Sequence, residues 1–265
     1  MDHQTSQIET NHGVGPHHRR SWQGILWMAL RLRLSSIGTV WTLLALFVPF
    51  VFPASTPIIG DDIWWLLKSG EIIVETGQPL ISDPFNFSPH TPQLVNAQWL
   101  AEIVFYVPTR YVGLESVPFI TAMATTIAFG LVLYLAWKRA GDIRVAAWCT
   151  MLATAVGFPA FLPRAQTLGL PLFMATYTIL TVGASNVKNV LLLAGTTALW
   201  ANLHGSFLLA VGLTVLVLVG ETAEVALARG WPGVRRNARV RFLCAAGAAQ
   251  SLATLATPHG VDMFR

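Results

Sequence analysis

Charge is what this chain has least of. Charged residues make up 11% of its 265 positions, against roughly a quarter in soluble domains, so an ordinary water-soluble fold is excluded. Cysteine is nearly absent. Cys149 and Cys244 are the only two, and both fall in apolar runs, which excludes a disulfide framework or a cysteine metal cluster. The common soluble-enzyme signatures are missing: there is no phosphate loop, no nucleophile elbow and no paired-histidine zinc helix. No internal repeat or low-complexity tract is visible. The first apolar run follows Arg33 without a small-residue cleavage site after it, so the first span is expected to stay as an anchor.

What is there is apolar: 54% of residues are hydrophobic and the mean hydropathy is +0.55. This composition describes an all-α, polytopic transmembrane bundle. Spans of suitable hydropathy are expected at about 37–53, 117–137, 145–162, 168–184, 190–203, 207–227 and 242–257, about seven in all. Residues 1–18 are polar and expected to be disordered. Residues 19–36 mix Trp22, Leu26, Trp27 and Leu30 with Arg19, Arg20, Arg31 and Arg33, the composition of an amphipathic helix on an anionic cytoplasmic leaflet. Residues 37–265 form one membrane domain. Its last stretch, TPHGVDMFR, breaks off just after a span and is expected to be continued in a longer, C-terminally complete chain.

A net charge of +4 raises nucleic acid as a partner. The basic residues are scattered in short groups between apolar runs, however, which suits topology signals and excludes that partner. With the N-terminus cytoplasmic and seven spans, 13 of the 17 Lys and Arg residues fall inside. Counting the apolar stretch 99–113 as a further crossing would put Lys138, Arg139 and Arg144 outside. That stretch is short and carries Glu102, Pro108 and Arg110, so it is expected to be an interfacial helix.

The longest polar interruption runs from Gly60 to Trp99 and holds five carboxylates, Asp61, Asp62, Glu71, Glu75 and Asp83. It is expected to be the first extracytoplasmic loop. Ile63, Leu66, Leu67, Gly70 and Val74 share one helical face while Lys68, Glu71 and Glu75 take the other, which predicts a helix over 62–76 lying on the membrane surface and ended by Gly77. Asp61 and Asp62 stand at its start. Helix capping explains them simply; the functional alternative is a carboxylate that accepts a proton from a substrate hydroxyl, Asp62 first and Asp61 beside it. Trp64 and Trp65 serve either as interfacial anchors or as sugar-stacking surfaces. Asp83 fits an ordinary Asx turn before Pro84. Asp61, Asp62 and Asp83 together could also offer oxygen ligands to Mg²⁺ or Mn²⁺, though their spacing does not establish a metal site.

Three further groups are expected on the same outer side. Arg164, after Pro163, either snorkels at the membrane edge or binds phosphate with its fork of donors. Asn202 and His204 either end a helix in a tight turn or face the cavity shared with Asp62 and Arg164, because alternate connections return to one side. His259 lies on that side as well.

The ordered series Asp62-Ile63-Trp64-Trp65, Gly70-Glu71, Asp83-Pro84-Phe85, Gln98-Trp99-Leu100-Ala101-Glu102, Arg164-Ala165-Gln166, Trp200-Ala201-Asn202-Leu203-His204-Gly205 and Pro258-His259-Gly260 resembles a family of bacterial multi-pass proteins. That family looks like the GT-C glycosyltransferases, the superfamily of protein O-mannosyltransferases and lipid A aminoarabinose transferases. The resemblance runs from about residue 37 onward. It implies an inverting transferase in the bacterial cytoplasmic membrane, taking a sugar from a polyprenyl-phosphate donor to an acceptor of unspecified identity on the outer face. It assigns Asp62 as the base, Arg164 and His204 to the lipid phosphate, and Trp64, Trp65, Asp83, Gln98, Glu102, Asn202 and His259 to substrate binding. A divalent cation is used by some members and not by others. The chain departs from the pattern at Leu66, where a histidine is usual, and at Ala97-Gln98, where His-Glu or His-Gln is usual. Those departures motivate a second expectation, a non-catalytic scaffold, accessory or transport subunit of envelope polysaccharide synthesis.

Overall fold

The computed structural model of the protein describes residues 36–58, 62–85 and 95–264. The expectations for the N-terminal tail and its amphipathic helix, and for Asp61, lie outside the described residues. The chain divides into two units, Met1–Val40 and Trp41–Arg265. All packing described below belongs to the second.

The described residues are all-helical, without strands. The helices are α1 (Ile37–Ser55), α2 (Asp62–Thr76), α3 (Trp99–Val112), α4 (Ser116–Ala140), α5 (Ile143–Gly157), α6 (Ala165–Val182), α7 (Val187–Leu203), α8 (Leu208–Arg236) and α9 (Ala238–Ala253), with short 3₁₀ turns at Phe158–Ala160, Gly205–Phe207 and Gly260–Phe264. Among the described residues, five helical segments are long and apolar enough to cross a membrane: Ile37–Ser55, Ser116–Ala140, Ile143–Ala160, Ala165–Val182 and Gly205–Arg236. This is a multi-pass membrane protein. The other two expected spans are helical as well, but α7 has 17 residues and α9 has 16, about 25 Å at 1.5 Å per residue.

Large apolar side chains on the outer faces, such as Val156 at 83% and Leu216 at 71% exposure, need a lipid solvent, since water would penalise so extended an apolar surface. Cys149 and Cys244 are likewise exposed and unbridged. Between helices the packing uses small residues, which let backbones approach in the absence of a hydrophobic drive. Ala45, Ala146 and Ala147, all fully buried, bring α1, α4 and α5 together around Leu133. A polar clasp joins the last three helices: Thr214 Oγ1 donates to Gln250 Oε1 at 2.6 Å, and Gln250 Nε2 donates to Thr197 Oγ1 at 3.1 Å.

Two boundaries differ from expectation for local reasons. The span expected to reach residue 162 leaves the α-helix at Gly157 and tightens into the 3₁₀ turn carrying Pro159, because proline cannot donate the next helical hydrogen bond. Helix α8 runs on past residue 227 to Arg236 through a break at Gly230, whose φ of 67° takes the chain out of helical geometry ahead of Pro232.

Short connections make α4–α5, α6–α7 and α8–α9 antiparallel hairpins. Their tight turns lie at one end of the bundle with Lys138, Arg139, Arg144, Lys188, Arg235, Arg236, Arg239 and Arg241. Asn237 caps α9 there, accepting from the amides of Arg239 and Val240 at 2.7 and 3.0 Å. Arg239 donates to the carbonyl of Leu180, a cation at the negative end of α6. At the opposite end lie α2, α3 and the start of α6.

Helices α2 and α3 pair closely and settle on the bundle. Their shared core is Ile63, Leu66, Leu67, Ala101 and Phe105, which meets Val117, Ala124, Ala165, Leu168 and Leu203 from α4, α6 and α7. Gly70 sets the crossing. A Cβ there would sit 2.6 Å from Tyr106 Cβ and closer still to the Glu102 carbonyl, so only glycine allows this approach. Gly77, at φ 69°, closes α2 by donating to the Ile73 carbonyl.

Candidate functional site

A cavity of about 300 Å³ opens at the α2–α3 end, lined by Asp62, Trp65, Leu66, Gln98, Arg164, Ala165, Gln166 and His204. Four segments far apart in sequence supply it. The structure thus brings together Asp62, Trp65, Gln98, Arg164 and His204 of the sequence-expected residues.

Asp62 is the first residue of α2. Its Oδ2 lies 3.0 Å from Arg164 Nε, with both side chains about half exposed. Such a pair is worth only about 0.2–1 kcal/mol, little enough for an incoming anion to displace. Arg164 sits at the N-cap of α6 in an extended conformation and makes no side-chain cap bond. Its carbonyl accepts from Thr167 N–H at 3.0 Å, so the backbone turns into the helix while the guanidinium is left for the cavity. Trp65 packs edge-on to Phe85 at 6.0 Å between ring centroids.

Gln98 is placed by a buried group that does not line the cavity. Asn96 Oδ1 accepts from Gln98 N–H at 3.1 Å, which commits the Asn96 amide nitrogen to donate to Glu102 Oε2, at 2.8 Å. Glu102 is wholly buried and its Oε1 makes no hydrogen bond of good geometry. Desolvation raises its pKa to about 7, with Asn96 and Gln98 pulling the other way in part. Glu102 therefore supports the Gln98 turn from beneath.

His204 ends α7. Its Nδ1 lies 2.8 Å from Ser206 Oγ and accepts from Ser206 N–H at 3.1 Å. Burial pushes its pKa below the usual histidine range.

The remaining candidates go elsewhere. Trp64 lies on the far side of α2, in a groove with Lys68, Tyr106 and Arg110. Asp83 Oδ1 accepts from Phe85 N–H at 2.9 Å, the Asx turn that its local sequence allows. Asn202 is a strut: its Oδ1 accepts from Trp99 Nε1 at 2.9 Å and its Nδ2 donates to the Ala256 carbonyl at 2.8 Å. His259 is half-buried outside the cavity. Among the described residues no three His, Cys, Asp or Glu side chains gather as metal ligands. Of the carboxylates considered as oxygen ligands, Asp62 is engaged by Arg164 and Asp83 by its own turn.

Sequence reasoning missed Asn96 and Ser206. Each lies two residues from a candidate, at the spacing of a side-chain-to-backbone turn, and that spacing was the available signal. No protein-family model, curated protein or solved structure matches the chain.

Proposed function

We propose that the protein is a membrane glycosyltransferase of the GT-C type, moving a sugar from a polyprenyl-phosphate donor to an acceptor hydroxyl outside the cytoplasmic membrane. The observation that carries this reading is the juxtaposition of the Asp62 carboxylate and the Arg164 guanidinium, 3.0 Å apart, in one polar cavity with Gln98 and His204. A base beside anion-binding donors is what displacement of a phosphate requires. The donor's phosphate takes Arg164, with His204 and Gln98 as further donors, and Trp65 offers a face to the sugar. Asp62, released from Arg164, accepts the acceptor's proton as its oxygen attacks the anomeric carbon. The bond from that carbon to the phosphate oxygen breaks, and its electron pair leaves on the phosphate, giving inversion.

Charge supports a reading with seven crossings and an outward-facing site. With α7 and α9 counted as spans, the basic end of the bundle is cytoplasmic and the cavity faces outward. The 17 residues of α7 lie at the short limit for a span and the 16 of α9 just below it.

The test is binding of a polyprenyl-phosphate sugar to protein in nanodiscs, followed by transfer. Arg164→Ala removes a charge-assisted contact of about 1.5–3 kcal/mol, a loss of roughly 10- to 150-fold in affinity. Asp62→Asn keeps binding and loses transfer. If both variants behave as wild type, the proposal fails. The accessory reading is favoured by Leu66, an apolar wall of the cavity at the position where the resembled family has histidine. Binding of the donor by wild type without transfer to any acceptor would select it.

A further inference from the structure

The tautomer of His204 is set by atoms whose donor roles are not open to choice. A peptide nitrogen cannot accept, so the bond from Ser206 N–H at 3.1 Å means that Nδ1 presents its lone pair. The indole nitrogen of Trp200 is also a donor only, and it donates to Ser206 Oγ at 3.1 Å. Because Nδ1 already presents its lone pair to the Ser206 amide, the hydroxyl that accepts from Trp200 turns its own hydrogen to Nδ1, 2.8 Å away. Both donors converge on the same lone pair, so the proton of the neutral ring lies on Nε2. With Nδ1 turned to Ser206, Nε2 is the ring nitrogen left for the cavity that His204 lines.

The indole that starts this relay needs space, and α6 provides it. A Cβ at Gly169 would stand 2.6 Å from Trp200 Nε1. Trp200 is otherwise enclosed by Leu172, Phe173, Ala201, Phe207 and Ala210, and it is almost completely buried. Trp200, the start of the relay, is therefore held in an apolar pocket between α6, α7 and α8.

We infer that Trp200 and Ser206 are positioning residues that hold His204 as a neutral Nε2–H donor toward an oxyanion in the cavity, and that they exclude it as a proton acceptor. The identity of that oxyanion as a lipid phosphate rests on the proposed transferase reading; the tautomer does not. The consequence is a division of labour. A neutral imidazole whose only lone pair is taken cannot receive a proton from an acceptor hydroxyl without breaking two hydrogen bonds. Asp62 is then the group left for that step.

The test is NMR of the full chain in nanodiscs with ¹³C,¹⁵N-labelled histidine, the His204 signal being identified by its loss in His204→Gln. Wild type is expected to show Nε2–H alone at pH 7. Ser206→Ala deletes the hydroxyl donor and keeps the peptide N–H, so protonation of His204 should move up by about 0.5–1 pH unit, and Ser206→Thr should restore it. A cation or an Nδ1–H ring in wild type overturns the inference, and so does an unmoved titration in Ser206→Ala. A second arm measures binding of polyprenyl phosphate. Several-fold weakening in Ser206→Ala with recovery in Ser206→Thr supports the positioning role, and equal binding by all three proteins overturns it. Absence of transfer in wild type with the Nε2–H ring intact removes the transferase reading and leaves the tautomer standing.

Discussion

Replacing Glu102 with glutamine should stabilise the protein strongly above neutrality and only slightly in mild acid. Glu102 lies on α3, outside the candidate spans, fully buried against α2. Its carboxyl titrates at about 7 in place of 4.5, chiefly because burial disfavours the carboxylate. The sign follows from proton uptake. Between pH 4.5 and 7 the folded protein holds a proton that the unfolded chain has released, so stability declines as pH rises through that window and stays low above it. The difference of 2.5 between the two values, at about 1.36 kcal/mol for each, amounts to roughly 3 kcal/mol lost by pH 8. Glutamine matches the shape, can still accept from Asn96, and never ionises.

The assay is thermal unfolding in detergent followed by intrinsic fluorescence of the ten tryptophans, comparing wild type and Glu102→Gln at pH 5 and pH 8. At about 2–4 °C for each kcal/mol, the variant should melt roughly 6–12 °C higher at pH 8 and only about 2–3 °C higher at pH 5. A difference of the same size at both pH values, or a variant less stable at pH 8, would refute the reasoning. Either result would mean that Glu102 keeps its charge through contacts other than those with Asn96 and Gln98.

Two other substitutions probe the frame around the cavity. Gly70→Ala places a methyl against the Glu102 carbonyl and Tyr106 Cβ, and because a backbone atom cannot swing aside, α2 must lift from α3 at a cost of about 1–3 kcal/mol; the same fluorescence melt checks this, and an unchanged midpoint contradicts it. Gln250→Leu cuts the clasp between α7, α8 and α9. Since Thr197 already donates to the Leu193 carbonyl and the Thr214 hydroxyl, released from Gln250, has the Ala210 carbonyl within 3.1 Å, the loss should be only about 0.5–1.5 kcal/mol by unfolding in mixed detergent, and a loss beyond 3 kcal/mol would show that the clasp organises the bundle.

The surface helices were legible because their signals are local. The helix expected over 62–76 is the observed α2, since an acidic first residue, an apolar face of period 3.6 and a glycine stop all lie within one stretch. The same holds for α3, where a 14-residue run broken by Glu102, Pro108 and Arg110 is too short to cross. The ends of the spans were less legible. Hydropathy registers the bilayer and takes no account of where a proline or glycine ends the helix, which is why α5 stops early and α8 runs long. Within the site, sequence order placed Asp62, Arg164, Asn202 and His204 on one side, and their approach followed from counting connections. Which of them share a cavity depends on how each helix is rotated about its own axis. Asn202, in the last turn of α7, is turned toward Trp99 and Ala256, whereas His204, two residues on, has left the helix in extended backbone and lines the cavity with Arg164. The burial of Glu102 was invisible for a related reason, because it depends on Gly70 across the helix pair.

Capping is the simple alternative explanation for every polar residue in the cavity, since helix ends leave unpaired backbone groups that polar side chains commonly satisfy. The structure separates the residues by that criterion. Asn237 and Asn186 cap α9 and α7, with their side chains bonded to the first amides, and Asp142 does the same for α5. All three lie at the basic end of the bundle. At the cavity end, Gln98 and Arg164 occupy N-cap positions and make no side-chain cap bond. Asp62 directs a carboxylate oxygen to Arg164. His204 uses one ring nitrogen for its own turn, which leaves the other. Where side chains at helix ends complete the backbone, local structure accounts for them. Gln98 and Arg164 stand at the same kind of position and line a shared cavity, and there the fold forgoes the cap, worth about 1 kcal/mol, and keeps the polar group available to a ligand.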